Sequence, residues 1–287
     1  MSLRLLVVEG NARGEREAQR VAYGHESSEA YAEVLRQIAP DAVCDVCFAA
    51  DMGANLPDAG GLEGYDGVAI TGSALNLYDG GAEIAAQIEL TRAAFAARTP
   101  IFGSCWGLQV ACAATGGQVL RNPLGREIGF ARNIALTDAG RIHPLLTGRP
   151  AAFDAPCTHL DIVALPADDS LALAANSFSP VQAAEIRRDG GVFWGVQYHP
   201  EFTLADVAAI IERRKARLAS EGFFATAEAA SPYVAALRAL DADPARRDLA
   251  WRLGLNDQVT QPRARRAELH NFIALLVRPE KSRRGRA

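Results

Sequence analysis

The chain has 287 residues, 49% of them apolar and 22% charged, the balance of a folded globular protein rather than a disordered one. No run approaches the ~20 uninterrupted apolar residues that a membrane span needs. A formal net charge of −4 counts against a general nucleic-acid binder. The apolar run at the start stops at Glu9 with no small-residue cleavage site, so it reads as a strand and not as a secretion signal. Five cysteines (an odd number) in a chain of this size point to a reduced, cytoplasmic protein rather than a disulfide scaffold.

The elements alternate. Leu3–Val8 is a buried-strand run, Ser27–Ile38 carries serine caps and apolar residues at helical spacing, and Ala42–Phe48 is a second short strand. Gly67–Thr71 is a third strand, Ala82–Ala97 a helix closed before Pro100, Ile101–Ser104 a fourth strand, and Cys105–Thr115 a helix stopped by Gly116-Gly117. This order predicts an α/β fold in three layers, a mostly parallel central sheet flanked by helices. Residues 118–197 read as further strands and loops on the same sheet. Beyond Phe223 the pattern becomes helical, near Ala227–Leu240, Pro244–Leu253 and Arg263–Val277, with Pro244 suited to a first turn. The expected division is a main domain over 1–222 and a helical extension over 223–287, ending in a flexible basic tail, KSRRGRA.

Two motifs carry chemistry. In Phe102-Gly103-Ser104-Cys105-Trp106-Gly107 a strand runs into Gly-x-Cys-x-Gly and then a helix, the nucleophile-elbow arrangement with cysteine in place of serine. Small residues are needed where the turn crowds backbone on backbone, and the helix N-terminus favours the thiolate. The plain alternative is a buried structural cysteine. The second motif is the strand Val192–Gln197 leading into Tyr198-His199-Pro200-Glu201. Residues two apart in an extended chain share a side, so His199 and Glu201 can face one site as base and orienting carboxylate.

Together these motifs resemble the class I (triad) glutamine amidotransferases, and among them the stand-alone branch similar to GMP synthase. The matching segments are Gly103–Gln109 and Gly195–Glu201, with echoes at Ala69–Ser73, Arg126–Gly129, Thr158–Pro166 and Ser179–Ala183; the resemblance covers roughly residues 3–215. It implies the flavodoxin-like fold of that family and glutamine hydrolysis through a γ-glutamyl thioester. Cys105 would be the nucleophile, His199 the proton shuttle and Glu201 its holder. The backbone N–H of Trp106 and one near Gly72 and Ser73 would stabilise the oxyanion. Gln109, one helical turn after Cys105, would contact substrate. Thr71-Gly72-Ser73-Ala74 departs from the family's Gly-Gly loop by one glycine. No cofactor or metal is implied. The expected partners are glutamine or another γ-glutamyl compound, and a separate synthase subunit or a second copy of the chain, with no nucleic acid and no membrane.

Competing functions are a γ-glutamyl peptide or amide hydrolase using the same triad, a non-catalytic binding module that kept the fold, and a cysteine hydrolase or glyoxalase of the elbow type. No phosphate loop of an ATP-dependent synthase follows. Of the other cysteines, Cys44 and Cys47 lie on a strand facing opposite ways, while Cys112 and Cys157 read as core. His159 and Asp161 read equally as cleft lining or as a loop fastening. His25, His143 and His270 read as surface or loop residues, Gly60-Gly61 and Gly80-Gly81 as turn or helix-entry glycines, and the arginines from Arg213 on as a solvated helix face.

Overall fold

The computed structural model describes residues 2–53, 61–166 and 168–285; Gly60 and the last two residues of the tail lie outside them. The elements run β1 (Leu3–Val8), α1 (Arg13–Tyr23), α2 (Ser27–Ile38), β2 (Ala42–Cys47), β3 (Gly67–Ile70), α3 (Ala82–Ala96), β4 (Ile101–Ser104), α4 (Trp106–Ala114), β5 (Gln118–Arg121) and β6 (Glu127–Leu136). There follow α5 (Asp138–Ile142), β7 (Ala152–His159), β8 (Asp161–Ala164), β9 (Ser170–Ala175), β10 (Ala183–Arg188), β11 (Gly191–Val196), α6 (Leu204–Ser220), α7 (Ser231–Ala242) and α8 (Arg247–Leu253). The nine-stranded sheet has the order β2-β1-β3-β4-β11-β10-β9-β6-β7. From β2 to β11 every pairing is parallel, and from β11 to β7 every pairing is antiparallel. The expected parallel sheet is thus the half that carries the chemistry motifs. The middle segment extends it, apart from β5 and β8, which pair with each other.

The alternation of β1 splits the core. Leu3, Leu5 and Val7 enter one apolar layer with α2, while Leu6 and Val8 enter the opposite layer with α3 and α4. Both faces of the parallel half are therefore buried, which is why its strands read as continuous apolar runs. A third cluster joins Phe130 of β6 to Val207 and Ile211 of α6, Leu237 of α7 and Leu249 of α8.

The last segment differs from expectation. Helix does not stop at Val277: Ala267–Asn271, a π-helical stretch Phe272–Val277 and Arg278–Arg283 run on as one rod. Pro279 cannot donate to the carbonyl four residues back and its ring crowds it, a physical reason for the widened turn just before it. Leu269, Phe272, Ile273 and Val277 enter the same core layer as Leu3, Leu5 and Val7 of β1. Lys281, expected in a frayed tail, makes a largely buried ion pair with Asp66 at 3.0 Å. α1 had no counterpart in the sequence reading, being amphipathic yet mostly polar. Pro244 lies in the turn ahead of α8 rather than in its first turn.

Candidate active site

Sheet order brings the motifs together. β3, β4 and β11 are neighbours, with Ile70 opposite Gly103 and Ser104 opposite Val196. Their carboxyl ends therefore deliver Gly72, Cys105 and His199 to one edge, where open α/β sheets place their sites. The backbone N–H of Cys105 donates to the Val196 carbonyl at 2.7 Å. Cys105 itself sits at φ 52°, ψ −99°, a left-handed conformation that a non-glycine residue holds only when its surroundings impose it.

The surroundings do impose it. A Cβ on Gly103 would meet the Gly107 carbonyl carbon at 2.6 Å, and one on Gly107 would meet the Ile70 carbonyl oxygen at 2.7 Å. Only glycine lets strand, turn and helix lie this close. Gly72 is equally confined, since a Cβ there would stand 2.6 Å from His199 Cε1.

His199 Nδ1 bonds Glu201 Oε1 at 2.6 Å, and the imidazole stacks on Phe202 with ring centroids 4.0 Å apart. The strand ends at Val196, so His199 and Glu201 share a side through a turn, with the Phe202 N–H donating to the His199 carbonyl, and not through extended chain. Burial alone would lower the imidazole pKa, but the Glu201 carboxylate and the Cys105 thiol raise it to about 10. Nε2 is buried without a protein hydrogen bond, which leaves it free for a proton in flight. The second carboxylate oxygen of Glu201 accepts from Ser104 Oγ at 2.9 Å, and the Tyr31 hydroxyl meets the same Oγ at 3.0 Å. Neither residue was marked as functional by the sequence reading. Ser104 could have been suspected as the neighbour of Cys105, whereas Tyr31 comes from α2, with no local signal.

Cys105, His199, Glu201, Gly72, Ser73 and Gln109 all line one cavity of about 400 Å³. Gln109 is buried there rather than on a helix surface. Trp106 is not among the residues that line this cavity: it is fully buried, its indole N–H donating to Gln87 at 2.7 Å. As the first residue of α4 it has a backbone N–H with no partner within the helix. Ser73 Oγ accepts from Leu75 N at 3.1 Å, and Asn11 Oδ1 accepts from Ala74 N at 2.9 Å, which fixes the loop that lacks the second glycine.

The remaining sequence candidates fall into place. His159 and Asp161 both line the cavity and both fasten it: His159 Nε2 bonds Glu127 at 2.8 Å, and Asp161 accepts from Tyr78 at 3.0 Å. The His143 side chain is largely covered rather than a surface group, bonding Glu185 at 3.1 Å and meeting Trp194 edge-on. His25 lines the cavity, 3.6 Å from Asp206. Cys44 and Cys47 enter opposite core layers, and burial pushes the thiols of Cys47 and Cys112 up to about 12. Among the described residues no cluster of His, Cys, Asp and Glu could hold a metal ion, and no helix is long and apolar enough to cross a membrane. Of the arginines on α6, Arg213 and Arg217 are exposed, as a solvated face requires, and together with the half-buried Arg214 and with Arg126 they also line the cavity.

A strained cysteine between a parallel strand and a helix, facing a histidine–carboxylate pair across a cleft, has the layout of a cysteine hydrolase of the nucleophile-elbow kind. The chain belongs to the class I glutamine amidotransferase family, whose model matches residues 49–215. It is 34% identical over 230 residues to a γ-glutamyl-L-1-hydroxyisopropylamide hydrolase from a Pseudomonas species, covering 78% of this chain and 76% of that one. It is 37% identical over 102 residues to the glutamine-hydrolysing GMP synthase of Aeropyrum pernix, a match that spans 36% of this chain and only 18% of that enzyme. In fold it is similar to a glutamine amidotransferase from Thermotoga maritima, with a TM-score of 0.66 at 17% identity, covering 96% of this chain and 99% of that one. The protein is an enzyme of this family.

Proposed function

We propose that this enzyme hydrolyses the γ-amide bond of γ-glutamyl compounds, glutamine included. The Cys105 sulfur attacks the amide carbon and His199 passes its proton to the departing nitrogen. A γ-glutamyl thioester and free amine result, the amine being ammonia when glutamine is the substrate. Water, deprotonated by His199, then cleaves the thioester to glutamate and restores the thiol. Glu201 holds the imidazole and stabilises its charged form. The Trp106 N–H and one from the Gly72–Ser73 loop receive the oxyanion, and Gln109 binds the glutamyl group. The observation that carries this reading is the Cys105–His199–Glu201 set on the wall of one cavity, with His199 Nε2 unengaged.

Glutamine as donor would send its ammonia to a separate synthase subunit. An N-substituted γ-glutamyl amide needs no such partner. The cavity of about 400 Å³ has room for either. The 34% identity to a hydrolase named for such an amide favours the second substrate type. The test is intact mass after exposure to a glutamine-mimicking diazo- or chloroketone, followed by turnover of glutamine and of γ-glutamyl ethylamide. One adduct, absent from Cys105→Ala, and release of glutamate are expected. A folded wild type with neither adduct nor turnover would overturn the assignment.

A further inference from the structure

The cavity is long, and its two ends carry different charge. α6 begins just after Phe202, the residue stacked on His199, and it lines the cavity with Asp206, Ile210, Arg213, Arg214 and Arg217. These recur at helical spacing, so one face of α6 forms a wall about 16 Å long. The triad lies at the start of that wall and the guanidiniums at its far part. Arg126, at the mouth of β6, joins them there.

The guanidiniums are not neutralised. Arg213 pairs with Glu15 through two bonds of 2.7 and 2.9 Å. Arg126 and Arg217 share a single carboxylate, Glu221, at 3.0 and 2.8 Å. Arg214 has neither an ion pair nor a hydrogen bond among the described residues. Four cations therefore face two carboxylates, and one of the cations is half-buried with nothing to bond. Burial and the charges of Arg126 and Arg213 all act against the charged form of Arg214. The other acids of this cavity are engaged elsewhere: Asp206 accepts from the Thr203 N–H and hydroxyl and faces His25, Asp161 accepts from Tyr78, and Glu201 holds His199. A desolvated cation held unpaired on a cavity wall is a poor stabilising device and a good anion receptor.

We infer that Arg214, flanked by Arg126, receives a carboxylate carried by the amine half of the substrate, so that the preferred substrates are γ-glutamyl amino acids rather than amides of neutral amines. In γ-glutamylglycine the glutamyl α-carboxylate is four bonds from the reacting carbon and the glycine carboxylate three, on opposite sides of it. With Gln109, one helical turn beyond Cys105, assigned to the glutamyl half, the leaving half is left for the α6 wall. The inference rests on the γ-glutamyl reading of the site, and binding measured without turnover separates the two.

The experiment uses γ-glutamylglycine and γ-glutamyl ethylamide, which differ in the carboxylate. Calorimetric binding to Cys105→Ala protein is measured with and without Arg214→Gln, alongside kcat and KM for the enzyme with intact Cys105. The Cys105→Ala protein is expected to bind γ-glutamylglycine roughly ten- to a hundredfold more tightly, the weight of one charge-assisted hydrogen bond. Arg214→Gln should abolish that margin while leaving the ethylamide unchanged, and Arg214→Lys should restore part of it. Selective, Arg214-dependent binding without hydrolysis would sink the proposed reaction and leave this inference standing. Equal binding of both compounds would overturn the inference whatever the turnover. Equal loss of both in Arg214→Gln would also overturn it, by assigning Arg214 to the α-carboxylate they share.

Discussion

The two ends of the cavity are built by different means. At the elbow end the geometry is set by backbone: glycines at 72, 103 and 107 allow contacts that any Cβ would break, and Cys105 is held at a strained φ. At the α6 end it is set by long side chains, guanidiniums on a single helix face, of which Arg213 and Arg217 pair with other charged tips and Arg214 with none. Backbone contacts tolerate almost no change, which suits a group that must meet a reacting carbon. Side-chain tips can be exchanged without moving the sheet, which suits recognition of a variable part of the substrate.

If that contrast holds, substitutions at the elbow end should destroy rate and leave specificity meaningless. Cys105→Ala is expected to lower kcat/KM for glutamine or a γ-glutamyl amide by about 10⁴-fold or more, measured as glutamate release. A residual rate within tenfold of wild type would break the comparison. Gly72→Ala comes next. Its Cβ would press on His199 Cε1, and displacement of the imidazole on the ångström scale costs about 100-fold in kcat. Circular dichroism should show the fold retained, and unchanged kcat would mean that the loop yields freely.

Ser104→Ala removes the donor to Glu201 Oε2 and should cost about tenfold in kcat, with the alkaline limb of the rate profile moving. Tyr31→Phe should cost less, because Tyr31 reaches Glu201 only through Ser104. A larger loss for Tyr31→Phe than for Ser104→Ala would reverse that order. The smallest effect is on stability against pH. The folded imidazole of His199 holds its proton to about pH 10 against an ordinary value of 6.5. The stabilisation this brings is complete below about pH 6.5 and lost as pH rises through about 10. The melting temperature of His199→Gln should therefore fall less than that of wild type across this window.

A different comparison tests the C-terminal segment, which we propose is a helical extension needed for assembly or solubility. Arg149 and Glu268 pair at 2.6 Å with almost no exposure, and Glu268 also accepts from the hydroxyl of Tyr198, the neighbour of His199. Glu268→Ala leaves a buried guanidinium uncompensated and should cost about 3–5 kcal/mol in urea unfolding. Residues 1–222 alone should aggregate or change mass in solution. A soluble truncation of unchanged oligomeric state would count against the proposal.

What was legible in the sequence was local. The elbow is legible because glycine spacing, an apolar strand and a following helix are contiguous, and His199 and Glu201 because they are close in the chain, although a turn rather than extended chain gives them their shared side. The parallel half of the sheet is legible because strands buried on both faces are written as apolar runs. Tertiary structure decided what depends on distant segments meeting. Tyr31 reaches Ser104 across 73 positions, and Arg126 meets Glu221 across 95, separations that no periodicity encodes. The arginines of α6 show the limit most clearly. Their spacing reveals one helix face, but whether that face meets water or a cavity depends on what β6 and α1 bring against it, and only the folded chain places those together.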